Sequence, residues 1–223
     1  MHADTMEYDE RLDLIHGVQL SFWVKKVHQM RKSGQLETWV STFHPNQLPC
    51  QTDGNIKFIH GGYNLGQKLI FSDGTTWLVR FAQAGSVCGV LADEKVAMEV
   101  ETLSRIHETG VRVPRIHGWG LTAHNPLGLG PFIIMDFIKG VSLESILKEE
   151  ADKRLMRDDV SDSDIEYIYR QFAQILLKIF QLNFDCIGSL PTPITGFQAP
   201  VRPLTFKVHD IIQLGGVNTF GTY

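Results

Sequence analysis

The chain has 223 residues, of which 43% are hydrophobic, and 21 Lys and Arg against 25 Asp and Glu give a formal net charge of −4. This length and composition fit one globular domain or slightly more, and they exclude wholesale disorder. The slightly acidic balance argues against a general nucleic-acid binder, and no apolar run approaches the roughly 20 residues that span a bilayer, so neither nucleic acid nor membrane is expected as a partner.

The first 49 residues are predicted to form a helical extension. One helix should cover residues 8–32, with an apolar stripe made by these side chains: Leu12, Ile15, Phe22 and Val27. A shorter helix over 36–43 should end before Pro45, because proline disfavours helical backbone in the residue that precedes it.

A small antiparallel sheet with one inserted helix is predicted over residues 50–138. Its strands are expected in these β-rich segments: 56–60, 67–71, 76–81, 113–118 and 132–137. Asp73 and Gly74 should form a tight two-residue hairpin turn, since this pair readily adopts the positive φ that such a turn needs. The inserted helix should cover 93–109, because acidic residues open that segment and a glycine ends it.

Residues 139–223 are predicted to form a partial helical region. A short helix is expected over 142–149, and a longer one over 163–182 begins with a capping box of Ser163 and Glu166. The broad apolar face of the longer helix favours burial in a core, although a protein partner would cover it if the rest of its lobe is absent. The order of elements predicts an α+β fold, a sheet lobe followed by helices.

Cysteine usage and the N-terminal sequence predict a cytoplasmic protein. Cys50, Cys88 and Cys186 lie far apart and form no CxxC pair, which is typical of reduced intracellular thiols. The acidic, polar start resembles neither a secretory signal nor a basic transit peptide. The nine histidines are not spaced as metal ligands with cysteines or carboxylates, so no metal site is predicted.

A glycine-rich turn at 61–66, GGYNLG, lies between two predicted strands. Glycines let backbone N–H groups approach a phosphate closely, so this turn is a candidate phosphate loop. It is not a Walker A loop, because Gln67-Lys68 and a strand follow it instead of Lys-Ser/Thr and a helix. An ordinary hairpin turn is the alternative, because glycines often do no more than make turns.

An ion pair between Arg80 and Glu99 is the next candidate. On a helical wheel Glu99 falls within the apolar arc of the inserted helix. A carboxylate on a buried face needs a cationic partner, and the order of elements makes Arg80 the best-placed one. Otherwise Glu99 would reach water at the margin of the stripe, and Arg80 would be a solvated strand residue. The other acidic residues of the helix are expected on the opposite side: Glu94, Glu101 and Glu108.

Taken together, the segments resemble the aminoglycoside-phosphotransferase-like family, and in particular its fungal branch. The resemblance covers about residues 50–223 and is carried by motifs in the family's order: 61–64 (GGYN), 73–81 (DGTTWLVRF), 99–103 (EVETL), 113–120 (VPRIHGWG) and 130–140 (GPFIIMDFIKG). It implies a protein-kinase-like bilobal fold that binds ATP between its lobes. Residues 50–138 would form the N-lobe and hinge, and 139–223 an incomplete helical C-lobe.

The resemblance also implies roles for individual residues. Arg80 would take the place of the ATP-contacting lysine and Glu99 would be its helix partner, although a guanidinium is not a geometric substitute for an ammonium. Met135 would line the base pocket, and 136–138 would hydrogen-bond adenine through backbone groups. The cofactor-binding residues implied in this way are Gly61, Gly62, Tyr63, Asn64, Arg80, Glu99, Met135, Asp136, Phe137 and Ile138.

The family's catalytic residues have no match in the sequence. Phosphoryl transfer of this type needs an Asp that orients the acceptor hydroxyl, and an Asn and a further Asp that hold Mg²⁺. His209-Asp210 lacks the middle Gly of the family's His-Gly-Asp loop, and Gly215 stands where the Asn is required. No catalytic residue and no Mg²⁺ ligand is therefore predicted, and the chain is expected to end before the catalytic machinery.

Three functions fit these observations. The favoured one is an aminoglycoside phosphotransferase/choline-kinase-like protein that binds ATP weakly and transfers nothing. The first alternative is a fragment of a longer, active small-molecule kinase. The second is a non-catalytic module whose helix 163–182 meets a protein partner. The acceptor substrate is not defined, because the second lobe builds most of that site in such folds.

Overall fold

The structure is a computed structural model. It describes residues 3–54, 58–148, 157, 159–184 and 188–198, without the side chains of 3–9, 11 and 12. Two compact units contain these residues. The first consists of 3–54, 58–104, 114–137 and 188–198, and the second of 105–113, 138–148, 157 and 159–184. Cys186, His209-Asp210 and Gly215 lie outside the described residues.

Helices and strands follow one another along the described chain in an α+β order. They are α1 (Ala3–Lys32), α2 (Gln35–Ser41), β1 (Cys50–Thr52), β2 (Ile59–His60), β3 (Asn64–Phe71), β4 (Thr76–Ala82), α3 (Ala92–Glu108), β5 (Ile116–Gly120), β6 (Phe132–Asp136), α4 (Leu143–Leu147) and α5 (Asp162–Phe180). The prediction of a mixed fold with a small antiparallel sheet is confirmed.

The strands form one sheet in the order β1-β3-β4-β6-β5, and β2 pairs with β3 beside β1. Every pairing between these strands is antiparallel. The strand predicted from residue 113 begins only at Ile116, and Pro114 in the intervening stretch has no N–H to donate to a ladder. In the strand order given above, β4 lies at the centre of the sheet, between β3 and β6.

The turn between β3 and β4 has three residues instead of the predicted two. Phe71 donates its N–H to the carbonyl oxygen of Thr75 at 2.9 Å, which closes the turn around residues 72–74. Gly74 adopts a φ of 85°. This is the left-handed position that a three-residue hairpin loop places at its end, where glycine is favoured.

One face of the sheet packs against α1 and α2. Val27, Leu36 and Val40 of these helices are fully buried. They share a cluster with side chains of the sheet and the loop before β6: Phe58, Leu65, Leu69, Phe71, Trp77, Val79, Phe81, Leu127, Leu129, Phe132 and Ile134. The predicted stripe of α1 is wrong in part, because Phe22 is 70% exposed. Val27 lies five positions after Phe22, which places the two side chains about 140° apart around the helix.

The opposite face packs against α3 through a smaller cluster: Ala82, Val87, Ala92, Val96, Val100, Ile133 and Met135. The prediction that Glu94 and Glu101 lie on a solvent-facing side is wrong, since both are 3% exposed. One carboxylate oxygen of Glu101 accepts hydrogen bonds from the N–H of Ile194 at 3.0 Å and from the N–H and hydroxyl of Thr195 at 2.7 and 2.9 Å. The carboxylate of Glu101 is thus satisfied by a distant segment of the chain, while Glu108 is exposed as predicted.

The second unit contains α4 and α5. The N-cap of α5 is Ser161, whose hydroxyl accepts from the N–H of Asp164 at 3.2 Å, so the capping box predicted at Ser163 is wrong by two residues. Glu166 instead forms an i,i+4 ion pair with Arg170. Apolar side chains of α5 are more than a third exposed: Phe172, Ile175, Leu176, Leu177, Ile179 and Phe180.

Candidate functional site

The glycine-rich turn is the loop of the β2–β3 hairpin. Gly61 donates its N–H to the carbonyl oxygen of Asn64 at 2.9 Å, and Tyr63 accepts from the N–H of Gln83 at 2.9 Å. Neither Gly61 nor Gly62 has a left-handed φ, and a Cβ built on Gly62 meets no atom within 4 Å. The turn therefore does not itself require glycine at these two positions.

Arg80 and Glu99 form an ion pair between β4 and α3. Arg80 pairs with Gly66 of β3 and Ile133 of β6, so it occupies the middle of the sheet. Both side chains are about three-quarters buried. Burial lowers the pKa of Arg80 below its ordinary value, although a guanidinium keeps its proton in a protein. The contact predicted between these two residues is confirmed.

Lys95 joins this pair, and sequence reasoning missed it. Its ammonium donates to Oδ1 of Asn64 at 3.0 Å and to Oε2 of Glu99 at 3.2 Å. Its side chain is only 13% exposed, and burial, with a smaller contribution from Arg80, lowers its pKa to about 8. The i,i+4 spacing from Lys95 to Glu99 is the sequence signal that would have found this contact.

The four residues form one connected cluster, which we call the α3 charge cluster: Asn64, Arg80, Lys95 and Glu99. It links the phosphate-loop candidate on β3, the central strand β4 and the helix α3. Two cations and one carboxylate meet in it, so it carries a formal surplus of one positive charge. Such a cluster can hold an anion that approaches the 61–64 loop.

The base-pocket and hinge candidates lie at the end of β6. Met135 is buried against α3 in the smaller apolar cluster. Asp136 donates its N–H to the carbonyl oxygen of Arg115 at 3.0 Å, and Phe137 donates its N–H to that of Thr76 at 3.1 Å. These two N–H groups are therefore already engaged by protein carbonyls.

The side chains of this segment have partners of their own. Oδ1 of Asp136 lies 2.6 Å from Nε2 of His117, whose ring stacks on Trp77 with centroids 4.0 Å apart. The ammonium of Lys68 lies 4.8 Å from the ring centroid of Phe137. Ile138, the last hinge candidate, belongs to the second unit and is 64% exposed.

A cavity of about 580 Å³ lies in the first unit, away from the candidate residues. It is lined by Val18, Gln19, Phe22, Trp23, Lys26, Ala82, Ala84, Val87, Gly89, Ala92, Thr122, Gly128, Leu129, Gly130 and Pro131. None of the ten predicted cofactor-binding residues is among these fifteen. The cavity and the α3 charge cluster are therefore two separate features.

The described residues contain no group of three or more His, Cys, Asp or Glu side chains arranged to hold a metal ion. None of the helices described here is both long and apolar enough to cross a membrane.

Part of the chain is similar to a known protein. Over 103 residues the chain is 27% identical to "Altered inheritance of mitochondria protein 9, mitochondrial" of Zygosaccharomyces rouxii. The match covers 46% of this chain, and it spans only 16% of the length of that protein. No protein-family model matches the chain, and no solved structure matches it. A likeness of this extent does not assign a family or an activity.

Proposed function

We propose that the first unit binds a nucleoside di- or triphosphate, as the nucleotide lobe of a protein-kinase-like small-molecule phosphotransferase. The observation that carries the proposal is the ion pair between Arg80 and Glu99, which ties the central strand to the helix beside the glycine-rich hairpin. A phosphotransferase of this kind uses such a cation–carboxylate pair, below a glycine-rich loop, to hold the phosphates of ATP.

The geometry of the loop supports a ligand more than a simple turn. Gly61 and Gly62 have ordinary backbone conformations, so conformational freedom does not explain why glycine stands there. Absent side chains instead allow a phosphate to approach the backbone N–H groups. The N–H of Gly62 would serve a phosphate oxygen, while that of Gly61 stays on Asn64.

The adenine end of the proposed site would use a restricted set of groups. The N–H groups of Asp136 and Phe137 are engaged, so adenine recognition would fall to carbonyl oxygens of this segment. Met135 on the α3 side of the sheet would contribute apolar surface for the base. A hinge with fewer donors fits the weak ATP binding expected from the sequence.

We propose further that this chain does not transfer a phosphoryl group by itself. The described residues contain no group of three or more His, Cys, Asp or Glu side chains that could hold Mg²⁺, and His209-Asp210 departs from the family's catalytic loop. Positioning of the acceptor and neutralisation of charge by metal account for most of this catalysis.

Thermal stabilisation by ADP and ATP tests the proposal. Stabilisation should follow RT ln(1 + [L]/Kd), which is about 2.7 kcal/mol at a ligand concentration of 100 Kd. Arg80→Met should abolish the effect, whereas Arg170→Met, which removes an exposed arginine of α5, should leave it unchanged. No stabilisation at millimolar ADP, in a protein that unfolds cooperatively, would contradict nucleotide binding. ATP-dependent phosphorylation of a small molecule that Glu99→Ala abolishes would contradict the absence of transfer.

The exposed face of α5 favours a second candidate function, that of a protein-interaction module. Phe172 is 56% exposed, Leu177 61% and Phe180 87%, and large apolar side chains exposed together are typical of interaction surfaces. This function needs no nucleotide. The thermal-shift experiment separates the two functions. A folded chain that neither ADP nor ATP stabilises would favour the interaction function.

A further inference from the structure

The charges of the α3 charge cluster do not balance. Arg80 and Lys95 share the single carboxylate of Glu99, and each of the three side chains is at least three-quarters buried. Asn64 contributes an amide oxygen and no charge. A buried cation without its own counterion is costly, because the loss of water is not offset by an ion pair.

Lys95 is the cation of the cluster that lacks a carboxylate of its own. The carboxylate of Glu99 is engaged by the guanidinium of Arg80 through Oε1, and Lys95 reaches only Oε2, at 3.2 Å. Burial and the neighbouring Arg80 both disfavour the charged ammonium, which lowers its pKa to about 8. An anion placed against Lys95 would restore the charge balance and the ordinary protonation of the amine.

The hydrogen bonds of Lys95 leave room for such an anion. An ammonium has three donors, and the described residues supply two acceptors, Asn64 and Glu99. Asn64 ends the 61–64 loop, so its hydrogen bond ties Lys95 directly to the end of that loop. Arg80, by contrast, lies in the centre of the sheet and faces Glu99.

We propose that Lys95 is the phosphate-binding cation of this chain, and that Arg80 is a positioning residue that acts through Glu99. The ligand is a polyphosphate oxyanion, which Lys95 and the 61–64 loop bind together. The assignment rests on the proposed nucleotide site, but it differs from the pattern of the motif, in which the strand residue contacts phosphate. In this chain Lys95, which lies one turn before Glu99 on α3, contacts the phosphate instead.

Isothermal titration with inorganic tripolyphosphate tests the assignment without adenine. We expect Lys95→Met to lower the affinity about ten- to hundredfold, because a charge-assisted hydrogen bond is lost. Lys25→Met, which removes an exposed lysine of α1, is the matched control and should change the affinity less than twofold. Lys95→Gln serves as a second variant should Lys95→Met fail to unfold cooperatively.

The pH dependence provides a readout that a merely structural role of Lys95 would not move. Among the described residues, the charged groups that face Lys95 are Arg80 of β4 and Glu99 of α3. The titration of tripolyphosphate itself is common to both proteins, so the readout is the affinity difference between the wild type and Lys95→Met, which should shrink between about pH 7 and 10 as Lys95 loses its proton. An affinity difference that stays constant with pH would overturn the assignment.

The failure of this inference is distinguishable from that of the proposed function. If ADP binds equally well to the wild type and to Lys95→Met, the nucleotide site stands and the role of Lys95 is wrong. If tripolyphosphate binding depends on Lys95 but ADP binds no more tightly than pyrophosphate, Lys95 binds phosphate and the nucleotide proposal is wrong. If neither ligand binds the folded wild type, both are wrong.

Discussion

The two faces of the central sheet differ in what they bury. On the α1–α2 face, aromatic side chains meet edge to face, with Trp39 and Phe132 centroids 4.6 Å apart and Trp39 and Phe43 centroids 5.5 Å apart. On the α3 face a smaller aliphatic cluster lies beside the α3 charge cluster. Strand β4 contributes to both faces through alternating side chains, so a single strand separates apolar packing from buried charge.

This difference separates stability from the candidate function. Apolar burial stabilises a fold by about 25 cal/mol per Å² and aromatic contacts add to it, whereas buried ion pairs contribute little or nothing net. The α1–α2 face should therefore account for most of the stability of the first unit. The α3 face holds charges whose retention is explained better by a ligand than by folding.

The largest expected effect on stability is on the α1–α2 face of the sheet. Phe81 is 1% exposed, lies 6.3 Å from Trp39 between ring centroids, and directly follows Arg80 on β4. We expect Phe81→Ala to lower the free energy of unfolding by about 3–5 kcal/mol in urea denaturation, because it leaves a cavity in a packed core. Phe22→Ala, at a position 70% exposed, should change it by less than about 1 kcal/mol.

In Phe81→Ala, tripolyphosphate binding should change much less than the free energy of unfolding. The tripolyphosphate affinity of the folded fraction of Phe81→Ala should stay within about threefold of the wild type. A loss as large as that in Lys95→Met would mean that the two faces are not independent.

The next largest effect concerns Lys95 on the α3 face, and it depends on pH. Lys95 has a pKa of about 8 in the folded protein and an ordinary value of 10.5. Between these values the unfolded chain binds the additional proton, so the stability of the wild type rises with pH. Relative to Lys95→Met, the wild type should gain about 2 kcal/mol between pH 7 and 10. A difference that is flat or falls with pH would show that Lys95 is not desolvated.

The smallest expected effect on stability is at the turn between β3 and β4, the strands that contribute side chains to both faces of the sheet. Gly74→Ala should lower the free energy of unfolding by about 1 kcal/mol, because alanine disfavours the φ of 85° at this position. A Cβ there meets no atom within 4 Å, so the cost is conformational and not steric. Gly54→Ala, which also meets nothing and has no left-handed φ, is the control and should be close to neutral. Equal costs in the two variants would contradict this explanation.

Periodicity and turn chemistry predicted most elements of the sheet because they are local signals, but they did not predict β1 (Cys50–Thr52). The Asp73-Gly74 pair gave the right turn but the wrong length, since the hydrogen bond of Phe71 to Thr75 depends on the register of both strands. The cap of α5 was placed at Ser163 because two Ser-x-x-acid patterns overlap there. The structure uses Ser161 with Asp164.

Long-range contacts limited what could be predicted of the site. Arg80 and Glu99 were found because a carboxylate within an apolar arc needs a partner. Lys95 was missed because its spacing to Glu99 equally fits a solvent-exposed helix pair, and its burial depends on the β2–β3 hairpin. Glu101 was wrongly assigned to solvent, since nothing in α3 itself indicates that residues 194 and 195 bind it.

That contact of Glu101 links local unfolding events that would otherwise be independent. The segment around Thr195 lies 94 residues further along the chain, yet three of its donors share one oxygen of α3. Neither element can open alone without leaving a buried carboxylate or several N–H groups unsatisfied. In hydrogen exchange the amides of residues 194 and 195 should therefore be protected together with those of α3, as one cooperative unit. A segment without regular secondary structure would then report on the helix that carries Lys95 and Glu99.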